Sequence, residues 1–203
     1  MTGVPDGLWT AGRSEADLRR LYDGWADRYD ADMMAGGMLG PSRVADALRR
    51  AVGDPRLPVF DFGCGTGMSG RALRDAGFET VHGADLSEAM LERARATKAY
   101  TSLTLTEPDA PVSVPQGVRG VSACGSICIG AGPPRLLPDL LRAMEDGAAL
   151  VLSYNDDTIR DADYLQAMAD VQSAGLARME RAEYGPQLPA MGRGATVYTL
   201  TRL

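Results

Sequence analysis

The sequence predicts an α/β protein: a Rossmann-like, doubly wound, mostly parallel seven-stranded sheet with an antiparallel C-terminal edge hairpin and N-terminal helices. Three observations carry that expectation. From Pro58 onward, short apolar runs alternate with helical stretches, the pattern of parallel strands joined by crossover helices. A glycine-rich turn, Gly63 to Gly67, follows the first of those runs. Two strand-like stretches with only a turn between them finish the chain.

Each element has its own signal. Residues 1–13 form a lead-in rich in glycine and proline. Ser14, with Asp17 three residues on, reads as an N-cap and its acid. Leu18, Leu21, Tyr22 and Trp25 then recur at helical spacing, Tyr29 continues the face, and Gly36-Gly37 ends it. A second helix follows Pro41-Ser42, carries Val44, Ala47, Leu48 and Val52 on one side, and closes at Gly53-Asp54-Pro55. Val59 to Phe62 reads as a strand and Met68 to Ala76 as a helix stopped by Gly77. A strand over Glu79–Ala84, a helix over Ser87–Lys98 and a strand over Ser102–Leu105 come next.

Pro108, Pro111 and Pro115 mark a loop before a small-residue strand, Gly120–Ile129. A helix over Pro134–Met144, the strand Ala148–Leu152 and a helix over Asp161–Ser173 follow. The final strands are Ala177–Tyr184 and Ala195–Thr201, with a Pro/Gly-rich turn between them. We read one domain: an N-terminal helical extension or lid, 1–57, packed on a core, 58–203.

Composition narrows the function. With 203 residues, 45% hydrophobic and 24% charged, the chain has enough material for one sizeable core. A net charge of −6, with basic pairs such as Arg19-Arg20 set beside acids, speaks against nucleic acid and for a small-molecule partner. No run of about 18 apolar residues suggests a membrane span, and the first residues lack a signal-peptide pattern, so a cytoplasmic location is expected. Three cysteines (Cys64, Cys124, Cys128) and one histidine (His82) give neither a disulfide framework nor a metal site.

In a parallel sheet the ligand crevice lies outside the carboxyl ends of the strands. Glycines at 63, 65 and 67 let the backbone turn tightly there and approach a ligand. The helix from Met68 then offers its N-terminal amides to a polar group. Gly65 to Gly70 satisfies the G-x-G-x-x-G string of dinucleotide-binding folds, so a nicotinamide-dependent oxidoreductase stays open. Against it, Gly63 and Cys64 stand between the strand and Gly65, and the Asp61 carboxylate suits a cationic amine better than a pyrophosphate. Asp85 falls 18 residues after Gly67, near the roughly 20-residue interval at which an acid reaches a ribose diol. Ser87 caps the next helix, with Met90 and Leu91 beneath.

D-F-G-C-G-T-G at 61–67 and G-A-D-L-S-E-A-M-L at 83–91 resemble the first two motifs of class I S-adenosylmethionine-dependent methyltransferases. Y-D-G-W-A-D-R-Y-D, at 22–30, is similar to the N-terminal signature of the methyltransferase-like family of the Williams–Beuren syndrome region. The resemblance covers about residues 15 to 155. It implies S-adenosylmethionine as cofactor, with Gly63, Gly65 and Gly67, and Cys64 among them, under its methionyl part. Asp85 would hold the ribose, Leu86 would flank the adenine, and Met90 would lie beneath. The acid for the adenine amine follows the third strand, where Glu107 and Asp109 both stand. Cys124, at the end of the fourth strand, would line the cofactor.

Tyr22, Trp25 and Tyr29 share a helix face and read either as core packing or as a lid whose rings attract the sulfonium. The expected activity is methyl transfer to a small-molecule acceptor. A non-catalytic cofactor-binding module is the alternative. No carboxylate pair is spaced for acid–base work and His82 reads as structural, so no catalytic residue and no metal are assigned. Tyr154-Asn155-Asp156 and the turn Tyr184–Pro189 are candidates to border the acceptor. Oligomeric state is left unassigned.

Overall fold

The computed structural model describes residues 3–5 and 7–203; residues 1, 2 and 6 of the lead-in lie outside the described residues. Seven strands form one sheet: β1 (Val59–Phe62), β2 (Val81–Asp85), β3 (Ser102–Leu105), β4 (Gly120–Ala123), β5 (Ala149–Asn155), β6 (Ala177–Leu188) and β7 (Arg193–Arg202). Their order is β3-β2-β1-β4-β5-β7-β6. The first five run parallel, while β7 lies antiparallel between β5 and β6. Six helices accompany them: α1 (Glu15–Ala35), α2 (Gly40–Val52), α3 (Met68–Asp75), α4 (Glu88–Thr97), α5 (Leu136–Ala143) and α6 (Ala162–Ser173).

Strand alternation sorts the core into two layers, because successive side chains point to opposite faces. Val59, Val81, Ala149 and Val151 face α2 and α3, meeting Val44, Leu48 and Leu73. Phe60, Val121, Leu150 and Leu152 face α5 and α6, meeting Leu137, Leu140 and Met168. Helix α2 therefore shares a core layer with the sheet. Helix α1 takes a different place, over the strand ends, where Trp25 and Met33 pack with Leu8 and Leu188.

Two strand boundaries differ most from the sequence reading, beside smaller shifts at the ends of β2, β5 and β7. The apolar run Gly120–Ile129 pairs only as far as Ala123. Gly125 then adopts φ +65, which breaks the extended path, and its amide donates to Ser153 Oγ at 2.9 Å. Ile127 and Cys128 owe their apolar character to burial, not to a ladder. Conversely, Tyr184 to Leu188 is no turn but the continuation of β6. Pro186 is tolerated because β6 is the sheet edge and a register shift falls between Pro186 and Leu188.

Arg43 ties α2 to this hairpin. Its guanidinium donates to the carbonyls of Glu183 (2.8 Å), Gly185 (3.2 Å), Pro186 (3.2 Å) and Ala195 (3.1 Å). Arg43→Met keeps the stem and deletes those donors. The expected cost is about 1–3 kcal/mol in urea unfolding with unchanged far-UV circular dichroism.

Candidate cofactor-binding site

The chain leaves β1 for β2 and β3, then crosses back to β4 on the other side of β1, so the strand order reverses between β1 and β4. At such a switch point the loops diverge and open a crevice. Here the loops after β1 and β4 form its floor. Gly65 (φ +54) and Gly125 (φ +65) both present bare backbone, with no atom within 4 Å of where a Cβ would stand. Gly63 is required for another reason. A Cβ there would lie 2.4 Å from the Ser126 Cβ, so its absence lets the two loops touch. The Ser126 hydroxyl beside it is buried and has no hydrogen-bond partner among the described residues.

The first cavity, of about 160 Å³, opens over β1 and β2. Asp85, Leu86 and Met90 line one wall, Glu107 and Val112 another, and Tyr22 and Tyr29 the side toward α1. The Asp85 carboxylate accepts the Gly65 amide at 2.8 Å and the Ser87 amide at 2.9 Å, which joins the glycine loop to the cap of α4. Burial pushes its carboxyl up to about 6, against the pull of those amides and with added repulsion from Asp61. Of the two acids after β3, Glu107 reaches the cavity and pairs with Arg19 at 2.8 Å. Asp109 is engaged elsewhere, its carboxylate on Arg135 at 2.7 Å and its amide on Glu15.

Asp61 does not line this cavity. Its side chain is fully buried and receives three hydroxyl donors: Ser69 at 2.6 Å, Tyr100 at 2.7 Å and Ser122 at 2.6 Å. The expected contact with a cofactor amine is not one this geometry makes. Burial raises the carboxyl above the usual range while the three donors oppose that rise. Gly67 also stands away from the crevice, at φ +90 against Ala94 and Thr97 of α4. Gly70 packs on the Tyr100 ring, where a Cβ would fall 2.2 Å from Cζ, and its amide donates to the Tyr100 hydroxyl at 2.9 Å. The last two glycines of the G-x-G-x-x-G string thus serve helix packing. Nothing local to Asp61 signals Tyr100 or Ser122, which lie 39 and 61 residues along the chain.

Helix α1 meets the crevice with two faces. Its rings cluster: Trp25 and Tyr29 lie edge to face at 4.8 Å between centroids, and Tyr22 lies 6.1 Å from Trp25. Trp25 is 2% exposed and donates to Asp32 at 2.8 Å, so its packing role is plain, while Tyr22 and Tyr29 line the cavity. Acids interleaved with those rings, a feature sequence reasoning missed, point the other way. Asp23 accepts the Ser87 hydroxyl at the start of α4, Asp27 pairs with Arg93, and Asp30 accepts the Thr66 hydroxyl at the start of α3. Carboxylates set beside helix N-termini are favoured by the helix dipole.

A second cavity, of about 90 Å³, adjoins the first and shares Tyr22, Tyr29, Gly63, Gly65 and Cys124 with it. Cys64 and Cys128 border it too. Burial pushes the thiols of Cys124 and Cys128 up to about 12, so both stay protonated at neutral pH. Its outer wall includes Gln187 and Leu188 of β6, from the segment the sequence offered as a border of the acceptor, and four residues sequence reasoning missed: Leu8 and Trp9 from the lead-in, Met33 and Met38 from around the end of α1. Arg193 stacks on Trp9 at 3.9 Å and holds the lead-in there. Asn155 borders this cavity, whereas Tyr154 is buried between Tyr164 and Tyr198, and the Tyr184 hydroxyl donates to Asp156 at 3.0 Å. His82 lies on β2 against Ser102, away from both cavities. Among the described residues no cluster of three or more His, Cys, Asp or Glu side chains can hold a metal ion.

A switch-point crevice, a bare glycine loop and an acid closing the next strand define a doubly wound α/β protein built to take a nucleoside. Residues 59–120 match the family described as "Methyltransferase domain". The chain is 32% identical over 180 residues to human methyltransferase-like protein 27, covering 86% of this chain and 70% of that one. The structure resembles Synechocystis magnesium protoporphyrin IX methyltransferase with bound S-adenosylmethionine (TM-score 0.65, 18% identity, 96% and 99% coverage). It also resembles the 4+2 cyclase SpnF (TM-score 0.65, 13% identity, 94% and 97% coverage), a likeness of fold alone. The chain belongs to the class I S-adenosylmethionine-dependent methyltransferases, as a relative of methyltransferase-like protein 27. The nicotinamide reading of Gly65–Gly70 is set aside.

The raised Asp85 carboxyl makes a signed prediction. An acid that held the ribose at Asp85 would accept both hydroxyls only as the carboxylate, so affinity for S-adenosylhomocysteine is expected to be full about one pH unit above 6 and to decline as pH falls through 6. Calorimetric titration is expected to show a loss of about tenfold by pH 5, and Asp85→Asn is expected to bind weakly with that dependence flattened.

Proposed function

We propose that the protein transfers a methyl group from S-adenosylmethionine to a small-molecule acceptor held in the second cavity, and does so in the cytoplasm. One observation carries this reading: two cavities of different chemistry meet at a shared wall that includes Tyr22, Tyr29, Gly63, Gly65 and Cys124. The first has the acids and open backbone a nucleoside needs. The second has no charged side chain among its described lining residues and is crossed by the lead-in at Leu8 and Trp9, an arrangement suited to a compact guest more than to a polymer. The chain's net charge of −6 agrees with a non-nucleic-acid substrate.

The residues present fit the cofactor. Gly65 and Gly125 leave open space where side chains would stand, and the buried Ser126 hydroxyl lacks a partner that a polar ligand atom would supply. Asp85 would hold the ribose, Leu86 and Met90 would border the base with Glu107 near its amine, and the loop Gly63–Gly65 would lie under the methionyl end. When bound, S-adenosylmethionine supplies a methyl group on a positively charged sulfur, open to in-line displacement.

The chain's own residues then bind, orient and exclude water. The Tyr22 hydroxyl, donated to the Gly130 carbonyl at 3.0 Å, fixes one ring at the junction of the two cavities. Tyr29 stays protonated, its hydroxyl held well above the ordinary phenol range by burial, so it donates and does not act as a base. Leu8, Trp9, Met33 and Leu188 close the outer wall. Alignment in a dry chamber is the main contribution of such a site.

Incubation with methyl-labelled S-adenosylmethionine and cell extract, followed by fractionation, tests the reading. Label is expected in a new low-mass compound, separated from the cofactor by chromatography and absent without the protein. Label confined to precipitated RNA or protein would overturn the small-molecule acceptor.

A further inference from the structure

Resting on the methyltransferase reading above, we infer that the acceptor atom is an uncharged pyridine-type nitrogen of a small heteroaromatic molecule, so that transfer moves positive charge from sulfur to nitrogen and releases no proton. The walls of the second cavity argue for this. Among the described residues lining it there is no carboxylate, imidazole, ammonium or guanidinium. Its polar side chains are mostly committed. Thr66 donates to Asp30, Ser69 donates to Asp61, and Asn155 donates to the Ile129 carbonyl at 3.0 Å while accepting from Thr158. Gln187, the Tyr29 hydroxyl and the Trp9 indole N–H border the cavity and make no side-chain hydrogen bond among the described residues, which leaves only neutral groups to recognise a polar atom on the guest.

Those walls discriminate among nucleophiles. A phenol or an alkyl ammonium has a pKa near 10 and must lose a proton to react, and no lining group accepts one. A carboxylate or thiolate arrives as an anion, and no described lining side chain is a cation that would bind it. The chamber's own thiols, Cys124 and Cys128, are held protonated by the same surroundings. A ring nitrogen of the pyridine type is neutral at pH 7 and carries its lone pair in the ring plane, ready to react.

The aromatic cluster supplies what that reaction needs. Tyr22 and Tyr29 line both cavities and Trp25 lines the second, with centroids 4.8 to 6.3 Å apart. Ring faces turned to the cavities attract a cation that sits over them. They therefore hold the charge while it is on sulfur and after it has passed to nitrogen. In the step itself, the nitrogen lone pair forms the new N–CH₃ bond. The CH₃–S bond breaks with its electron pair remaining on sulfur, which leaves as a neutral thioether. The positive charge ends on the ring nitrogen.

The test begins with calorimetric binding of S-adenosylmethionine; absence of binding would defeat the methyltransferase reading itself. With binding established, pyridine, quinoline and isoquinoline are compared with phenol, thiophenol and benzylamine, reading S-adenosylhomocysteine formed and protons released in weak buffer. Turnover of a heteroarene with no proton per S-adenosylhomocysteine is expected. In parallel, N-methylquinolinium and the neutral isostere 2-methylnaphthalene are titrated into the protein saturated with S-adenosylhomocysteine. Tyr29→Leu is expected to weaken the quinolinium about fivefold and the naphthalene less than twofold. The inference is overturned if the phenol or amine alone is methylated with one proton released, or if the thiol alone is methylated. It is equally overturned if no heteroarene is turned over and the quinolinium does not bind.

Discussion

At the carboxyl end of β1, the Asp61 carboxylate lies in the protein interior, surrounded by hydroxyls from three separate parts of the chain. Burying such a group unpaired is prohibitive, and its remaining oxygen lone pairs must find donors within the fold. Ser69 brings α3 to it, Ser122 brings β4, and Tyr100 brings the segment leading into β3. Gly70 then has to be glycine because Tyr100 occupies its side-chain space. The path from β1 into α3 is fixed by this convergence, and with it the position of Gly63 and Gly65. Asp85 fastens the same loop from the opposite side through the Gly65 amide. Two carboxylates, one buried and one facing the cavity, thus set the crevice floor before any ligand arrives.

Helix α1 depends on that floor. Its acids reach the starts of α3 and α4, which are the two helices that follow the glycine loop and Asp85. Docking in this way turns Tyr22 and Tyr29 over the junction of the two cavities. The segment Tyr22–Asp30 alternates aromatic and acidic residues because it has two surfaces to satisfy at once. One is a hydrophobic cluster with Leu8, Met33 and Leu188, and the other a pair of helix N-termini.

Much of this architecture is legible in the residues themselves. The strands at Val59–Phe62 and Ser102–Leu105, the glycine turn and the cap at Ser87 follow from local preferences, and the structure has them where those preferences put them. Asp85 is legible because its interval from the loop is set by one strand–helix–strand unit. What local preference does not carry is pairing across long separations. The partners of Asp61, the latches of Asp23 and Asp30, and the approach of Met33 and Met38 to the second cavity arise from tertiary packing alone. Apolar content misled at Gly120–Ile129, where burial without strand pairing produces the same composition as a buried strand. Proline misled at Tyr184–Leu188, since an edge strand accommodates it.

The central claim is that Asp61 shapes the loop and does not bind the amine of the cofactor. A thermodynamic cycle tests this directly: affinities of the protein and of Asp61→Asn for S-adenosylhomocysteine and for its deaminated analogue. If Asp61 acts only through the loop, the substitution weakens both ligands by the same factor, within about twofold of each other. If the loss falls on the amine-bearing ligand alone, Asp61 contacts the cofactor and the account is wrong.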